Sequence, residues 1–151
     1  MSTVVTLPAI TLWQPWASLL IYGPKQHETR SWRMPPSIAG RDVLIHAGLR
    51  EVETWREVDG LAELVERLPQ PLPRGAAVGV ALAATSYPAV PDRAASREDW
   101  LCGWWEQDRH AWRFDAPRAF DEPIPMRGNR GIWRAELDER ALDSLREVLA
   151  P

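Results

Sequence analysis

The chain has 151 residues, 45% of them hydrophobic and 26% charged, with a formal net charge of −3. That length supports a single domain, residues 1–151, with a real hydrophobic core, and the acidic balance excludes a protein that coats nucleic acid indiscriminately. One cysteine, Cys102, excludes an internal disulfide framework and cannot build a zinc site alone, so no metal and no cofactor are expected. No apolar run approaches the roughly 20 residues of a membrane span, and the N-terminus lacks a basic region ahead of an apolar one. A cytoplasmic protein without a membrane partner is expected.

In chain order, Thr3 to Leu12 reads as an apolar opening strand, placed at a sheet edge by Pro8, which cannot donate to a ladder. A helix follows, with Pro15 at its first position and Trp13, Ala17, Leu20 and Ile21 at helical spacing on one face. Gly23-Pro24 ends it. From Glu28 an extended segment would carry Glu28, Arg30 and Trp32 on one side, because strand side chains alternate. Gly40–Gly48 is a buried strand with His46 near its end, where a hydrogen-bonded structural histidine is the commoner role. Residues 50–67 have helical spacing, split by Gly60. Gly75–Thr85 is a strand whose small residues suggest a bend or the close approach of another backbone. Ser96 caps a helix over Arg97–Trp105, with Cys102 in it as a packing residue. Trp112–Phe114 and Arg118–Phe120 read as two strand pieces around Ala116-Pro117, and Gly128–Gly131 as a turn before strand Ile132–Ala135. Asp138 caps a last amphipathic helix bearing Leu142, Leu145, Val148 and Leu149. Short strands with helices at one end make an α+β, barrel-like domain.

Charge is unevenly placed. Residues 23–50 carry Lys25, Arg30, Arg33, Arg41 and Arg50 against two acids, and residues 123–134 carry Arg127, Arg130 and Arg134 against none. Residues 51–70 and 135–151 are acidic. The two basic segments make one basic face if they meet, so Lys25, Glu28 and Arg30 are expected to line one cleft with the Gly128–Gly131 turn. Lys25 is the only lysine beside 17 arginines. Ammonium, unlike guanidinium, sheds its proton when desolvated. Nine tryptophans suggest that some rings line a cleft instead of filling the core.

Four segments in order carry a family resemblance: Leu12–Ser18, the Gly23-x-Lys25-x-x-Glu28-x-Arg30-Ser31-Trp32 motif, strand Leu44–Gly48, and Pro123–Trp133. Together they resemble the ASCH domain of the PUA-like superfamily, from about Thr11 to Arg134. The resemblance implies a small β-barrel with flanking helices, a cleft holding Lys25, Glu28 and Arg30, and a link to RNA or modified nucleobases. Some ASCH proteins are amidohydrolases acting on N4-acetylcytidine through a lysine, a threonine three residues later and a glutamate from a later strand. Lys25 matches the lysine. Glu28 stands at the threonine position, and Val78–Tyr87 holds no acid.

Two functions follow. The first is binding of RNA, another single-stranded nucleic acid or a modified nucleoside. Trp16 or Trp32 would stack a base, Arg130 would meet phosphate, and Gln14, Lys25, Glu28, Arg30, His46 and Asn129 would complete the cleft. The alternative is a small hydrolase, N4-acetylcytidine amidohydrolase-like or a ribonuclease, with Lys25 and Glu28 catalytic. Pairing of Lys25 with Glu28 holds the lysine charged, which opposes a base role and favours binding.

Overall fold

A computed structural model describes residues 4–150; Thr3 lies outside them. The elements run β1 (Val5–Gln14), α1 (Trp16–Tyr22), β2 (His27–Arg30), β3 (Arg41–Glu51), α2 (Leu61–Glu66), β4 (Ala76–Pro88), α3 (Arg97–Leu101), β5 (His110–Pro125), β6 (Ile132–Leu137) and α4 (Glu139–Leu149). Two 3₁₀ turns, Thr54–Glu57 and Pro91–Arg93, sit between them. The strands form one six-stranded sheet in the order β2-β5-β4-β3-β1-β6. Only the β1–β3 pair is parallel. The architecture is therefore α+β with a mixed sheet. Its pairing leaves β2 and β6 as outer strands, so the ladder does not close into the expected barrel.

Placing β1 at an edge was wrong: it lies between β3 and β6. Pro8 is tolerated because the β1–β3 pairing begins one residue later, at Ala9 with Leu44. Pro8 meets the ladder only on the β6 side, opposite Arg134. The Arg118 segment and the Trp112 segment belong to one continuous strand, β5, which runs through Ala116-Pro117 with Ala116 at φ 46°. Three register shifts against β4 absorb that irregularity. Gly79 on β4 lies so close to the Arg118 carbonyl that a Cβ there would collide with it. Of the two readings its composition suggested, a bend or a close backbone approach, the close approach is the one found at Gly79.

Three apolar clusters hold the fold. One packs α1 (Ala17, Leu20, Ile21) against Ile10, Ile45, Val78, Trp112 and Phe114. A second joins the sheet's Leu44, Val80 and Phe120 to Ala141 and Leu145 of α4. The third gathers Leu19, Trp55, Leu61, Val65, Leu68 and Cys102 around α2. Burial there pushes the Cys102 thiol up to about 11, so it packs as a neutral side chain. Helix ends follow their caps: Ser96 Oγ accepts from Asp99 N at 3.0 Å, and Asp138 Oδ1 from Ala141 N at 2.8 Å. α3 ends at Leu101, short of the expected Trp105, and residues 50–51 continue β3 where a helix was expected. Among the described residues, no helix is long and apolar enough to cross a membrane.

Candidate functional site

A cleft of about 1170 Å³ opens over the ends of β1 and β3, walled on one side by β2 and on the other by the Met126–Gly131 segment. Two local irregularities shape it. The β1–β3 register shifts between Leu12 and Gln14, and the β3–β4 register shifts between Ile45 and His46. Bulges of this kind re-aim side chains and are common beside functional sites. Thr11, Trp13 and His46 line the cleft beside these irregularities, while Ile10 and Ile45 stay in the core.

The lining collects charge and aromatic surface. Arg30, Arg50, Arg127 and Arg130 line the cleft together with one carboxylate, Glu28, which pairs with Arg30. Trp13 and Trp32 are each about half exposed, and Trp16 completes the aromatic wall. The Arg50 guanidinium lies 4.6 Å from the Trp13 ring centre, and that of Arg30 lies 5.6 Å from Trp32. Such cation–π contacts place positive charge beside ring surface that remains about half exposed.

The structure brings Glu28, Arg30, Trp16, Trp32, His46, Asn129 and Arg130 together, as the placement of the two basic segments allowed. It does not bring Lys25 or Gln14 to the surface of the cleft. Lys25 is 3% exposed; its Nζ donates to the Cys102 carbonyl at 2.8 Å and pairs with Glu28 Oε1 at 3.2 Å. The other Glu28 oxygen faces Arg30 Nη2 at 3.2 Å. A desolvated ammonium needs such partners, and Lys25 therefore stands behind Glu28, aiming the carboxylate outward. Gln14 is fully buried. Its Oε1 accepts from Ser18 N and its Nε2 donates to Ser18 Oγ and the Pro73 carbonyl, so it fastens the start of α1.

Trp13 was missed because helical spacing assigned it to α1, whereas it is the penultimate residue of β1. Period-two alternation, carried on from Ala9, would have put Thr11 and Trp13 on one face. Thr11 was missed too, and it is directly opposite His46 in the parallel pair.

His46 sits at the centre of an ordered hydrogen-bond chain. Its Nε2 donates to the Met126 carbonyl at 2.8 Å, so that nitrogen carries the proton. Nδ1 then accepts from the Thr11 hydroxyl at 3.2 Å, and Thr11 Oγ1 accepts in turn from Trp133 Nε1 at 3.0 Å. Burial outweighs the Met126 bond and lowers the His46 pKa below its ordinary 6.5, which keeps the ring neutral at pH 7. Gly128 covers this group closely. A Cβ there would stand 2.5 Å from His46 Cε1 and 2.8 Å from Thr11 Oγ1.

Comparison with known proteins supplies the context. The family model of the ASCH domain matches residues 10–83. No curated protein matches the chain. Among solved structures, ASCH from Zymomonas mobilis is similar with a TM-score of 0.53 at 15% identity, over 93% of this chain and 94% of that one. Two mutant forms of that protein give TM-scores of 0.51 and 0.52 at 14% identity, over 93% of this chain and 94% and 96% of theirs. At these identities the likeness shows the fold.

Proposed function

This chain carries an ASCH domain of the PUA-like superfamily, and from that premise we propose that its cleft binds single-stranded RNA or a modified nucleotide. The observation that carries the reading is the concentration of four arginines and three tryptophans in one cleft of a protein with net charge −3. Bases bind without sequence preference by stacking on aromatic rings, each stack contributing roughly 1–3 kcal/mol, while cations meet the phosphates. Trp13 and Trp32 offer half-exposed ring surface, Arg127 and Arg130 offer guanidinium groups, and Glu28 offers an acceptor for the amino edge of a base. Lys25 serves this site by holding Glu28, a positioning role that accounts for a lysine buried in a chain otherwise supplied with arginine.

Titration of tryptophan fluorescence with a short single-stranded oligoribonucleotide tests the reading. Binding should quench fluorescence and weaken with salt, each phosphate contact adding roughly one unit to the slope of log K against log salt. Arg130→Ala should lower that slope by about one, whereas Arg146→Ala, on the exposed face of α4, should leave it unchanged. Equal losses from both variants would reduce the interaction to non-specific adhesion. An oligodeoxyribonucleotide of the same sequence, run in parallel, separates RNA from DNA.

A further inference from the structure

We propose that Thr11 and His46 form a nucleophile–base pair at the floor of the cleft, competent for acyl transfer from esters. The proposal adds a chemical step to the binding site of the preceding section. A nucleophilic hydroxyl needs a neutral base within hydrogen-bond reach and a third group that orients the base. All three are present. Thr11 Oγ1 lies 3.2 Å from His46 Nδ1, and the Met126 carbonyl takes the proton of Nε2 at 2.8 Å, which leaves the Nδ1 lone pair facing the hydroxyl. Trp133 Nε1 donates to the same Thr11 oxygen. With that lone pair occupied, the hydroxyl hydrogen is directed at His46.

Three further observations distinguish this pair from a structural bond. Both side chains line the 1170 Å³ cleft. The position packed against them is a glycine, and a side chain at Gly128 would collide with both. Burial keeps His46 in the basic, uncharged form at neutral pH. Asn129 and Arg130 line the same cleft and are donors of the kind that stabilise an oxyanion. The Lys25–Glu28 pair offers no comparable base, since both carboxylate oxygens face cations.

The step balances without any other reagent. Thr11 Oγ attacks the acyl carbon as its proton passes to His46 Nδ1. The carbonyl electron pair moves onto oxygen and returns, breaking the carbon–oxygen bond of the ester and releasing the alcohol, which takes the proton from His46. Water then attacks the acyl-threonine, giving its proton to His46, and Thr11 leaves and recovers that proton. One ester and one water become one acid and one alcohol.

The test uses the full chain with para-nitrophenyl acetate as probe, together with mass spectrometry of the intact protein and of its peptides. The expected result is a burst of about one nitrophenolate per chain and a single acetyl group on Thr11. Thr11→Ser should retain the burst, while Thr11→Val and His46→Asn should slow it by roughly 10²-fold or more. Near-ultraviolet circular dichroism reports whether each variant is folded, and Thr11→Ser carries the test if His46→Asn is not. Acetylation elsewhere, or a burst unchanged in folded Thr11→Val, overturns the proposal. So does an inert wild-type protein. Oligoribonucleotide binding by the same wild-type sample separates the two readings: binding without acetylation removes the pair and spares the cleft, and acetylation without binding does the reverse.

Discussion

The protein buries two histidines, and they have opposite surroundings. His27, on β2, is held by a carboxylate: Nδ1 donates to Asp99 Oδ2 at 2.7 Å, and Nε2 meets the Tyr87 hydroxyl. Asp99 is fully buried and also accepts from the backbone N–H groups of Gln26, His27 and Ala95. Burial alone would raise its pKa, but the bonds from His27, Ala95 and Gln26 prevail and hold it below the ordinary 3.8. Every acceptor of that carboxylate ties α3 and the loop before it to β2. His46, by contrast, has no acid. Its partners are a carbonyl, a hydroxyl and, edge-on, the Trp133 ring. Ionic, saturated surroundings make a histidine part of the scaffold. Neutral surroundings that leave one nitrogen's lone pair on a hydroxyl at a cleft make it a base.

The sharpest way to break this contrast is to remove the acid. Asp99→Ala strands the buried His27 N–H and ring and two further backbone N–H groups, those of Gln26 and Ala95, and a loss of about 3–5 kcal/mol is expected from a buried hydrogen-bonded charge; chemical denaturation would measure it. Gly128→Ala attacks the other centre. Its methyl group must displace His46 or lift the Met126–Gly131 segment, at a cost of about 1–3 kcal/mol for overpacking, and oligoribonucleotide affinity should fall with stability. Tyr87→Phe removes a single hydroxyl from His27 and should cost about 1 kcal/mol, visible as a small drop in Tm.

The finest distinction is in pH. His46 is lowered in the folded state, so below pH 6.5 the unfolded chain binds a proton that the native protein does not. Stability is fully present above that pH and declines as pH falls towards the folded value, by at most about 1.4 kcal/mol per pH unit. Asp99 is also lowered, but from 3.8, so its contribution is lost only at more acidic pH. Denaturation at pH 7.5 and 5.5 should therefore show a decrease that His46→Asn abolishes and that owes nothing to Asp99.

Much of the fold was legible along the chain because it rests on local signals. The Ser96 and Asp138 caps, the stop at Gly23 and the split at Gly60 depend on neighbours a few residues away. Pro8 misled because an imino acid limits only the ladder it would donate to, and which ladder begins where is a tertiary fact. Trp13 misled because one tryptophan fits both a helical and an alternating period, and the β1 bulge that settles the matter leaves no mark in composition. In the site, charge placement allowed the two arginine-bearing segments to meet without requiring it, and Arg30, Arg50, Arg127 and Arg130 are the members that line the cleft. The inward turn of Lys25 was not legible: a lone lysine is equally consistent with a loop and with a buried clamp until the Cys102 carbonyl is seen above it. Thr11 became visible only with register, since the parallel pairing that sets it against His46 joins segments 35 residues apart.

The outermost pairing has a consequence for biogenesis. β1 is completed on one side by β6, with Val5 opposite Leu137, and Trp133 of β6 supplies the bond that orients the Thr11 hydroxyl. Closing so long a loop is among the slower events in folding, and a chain emerges from the ribosome N-terminus first. β1 must wait for β6. On a nascent chain stalled before Ile132, β1 has an open flank and Thr11 no indole beside it, so the cleft is finished only once β6 has been made.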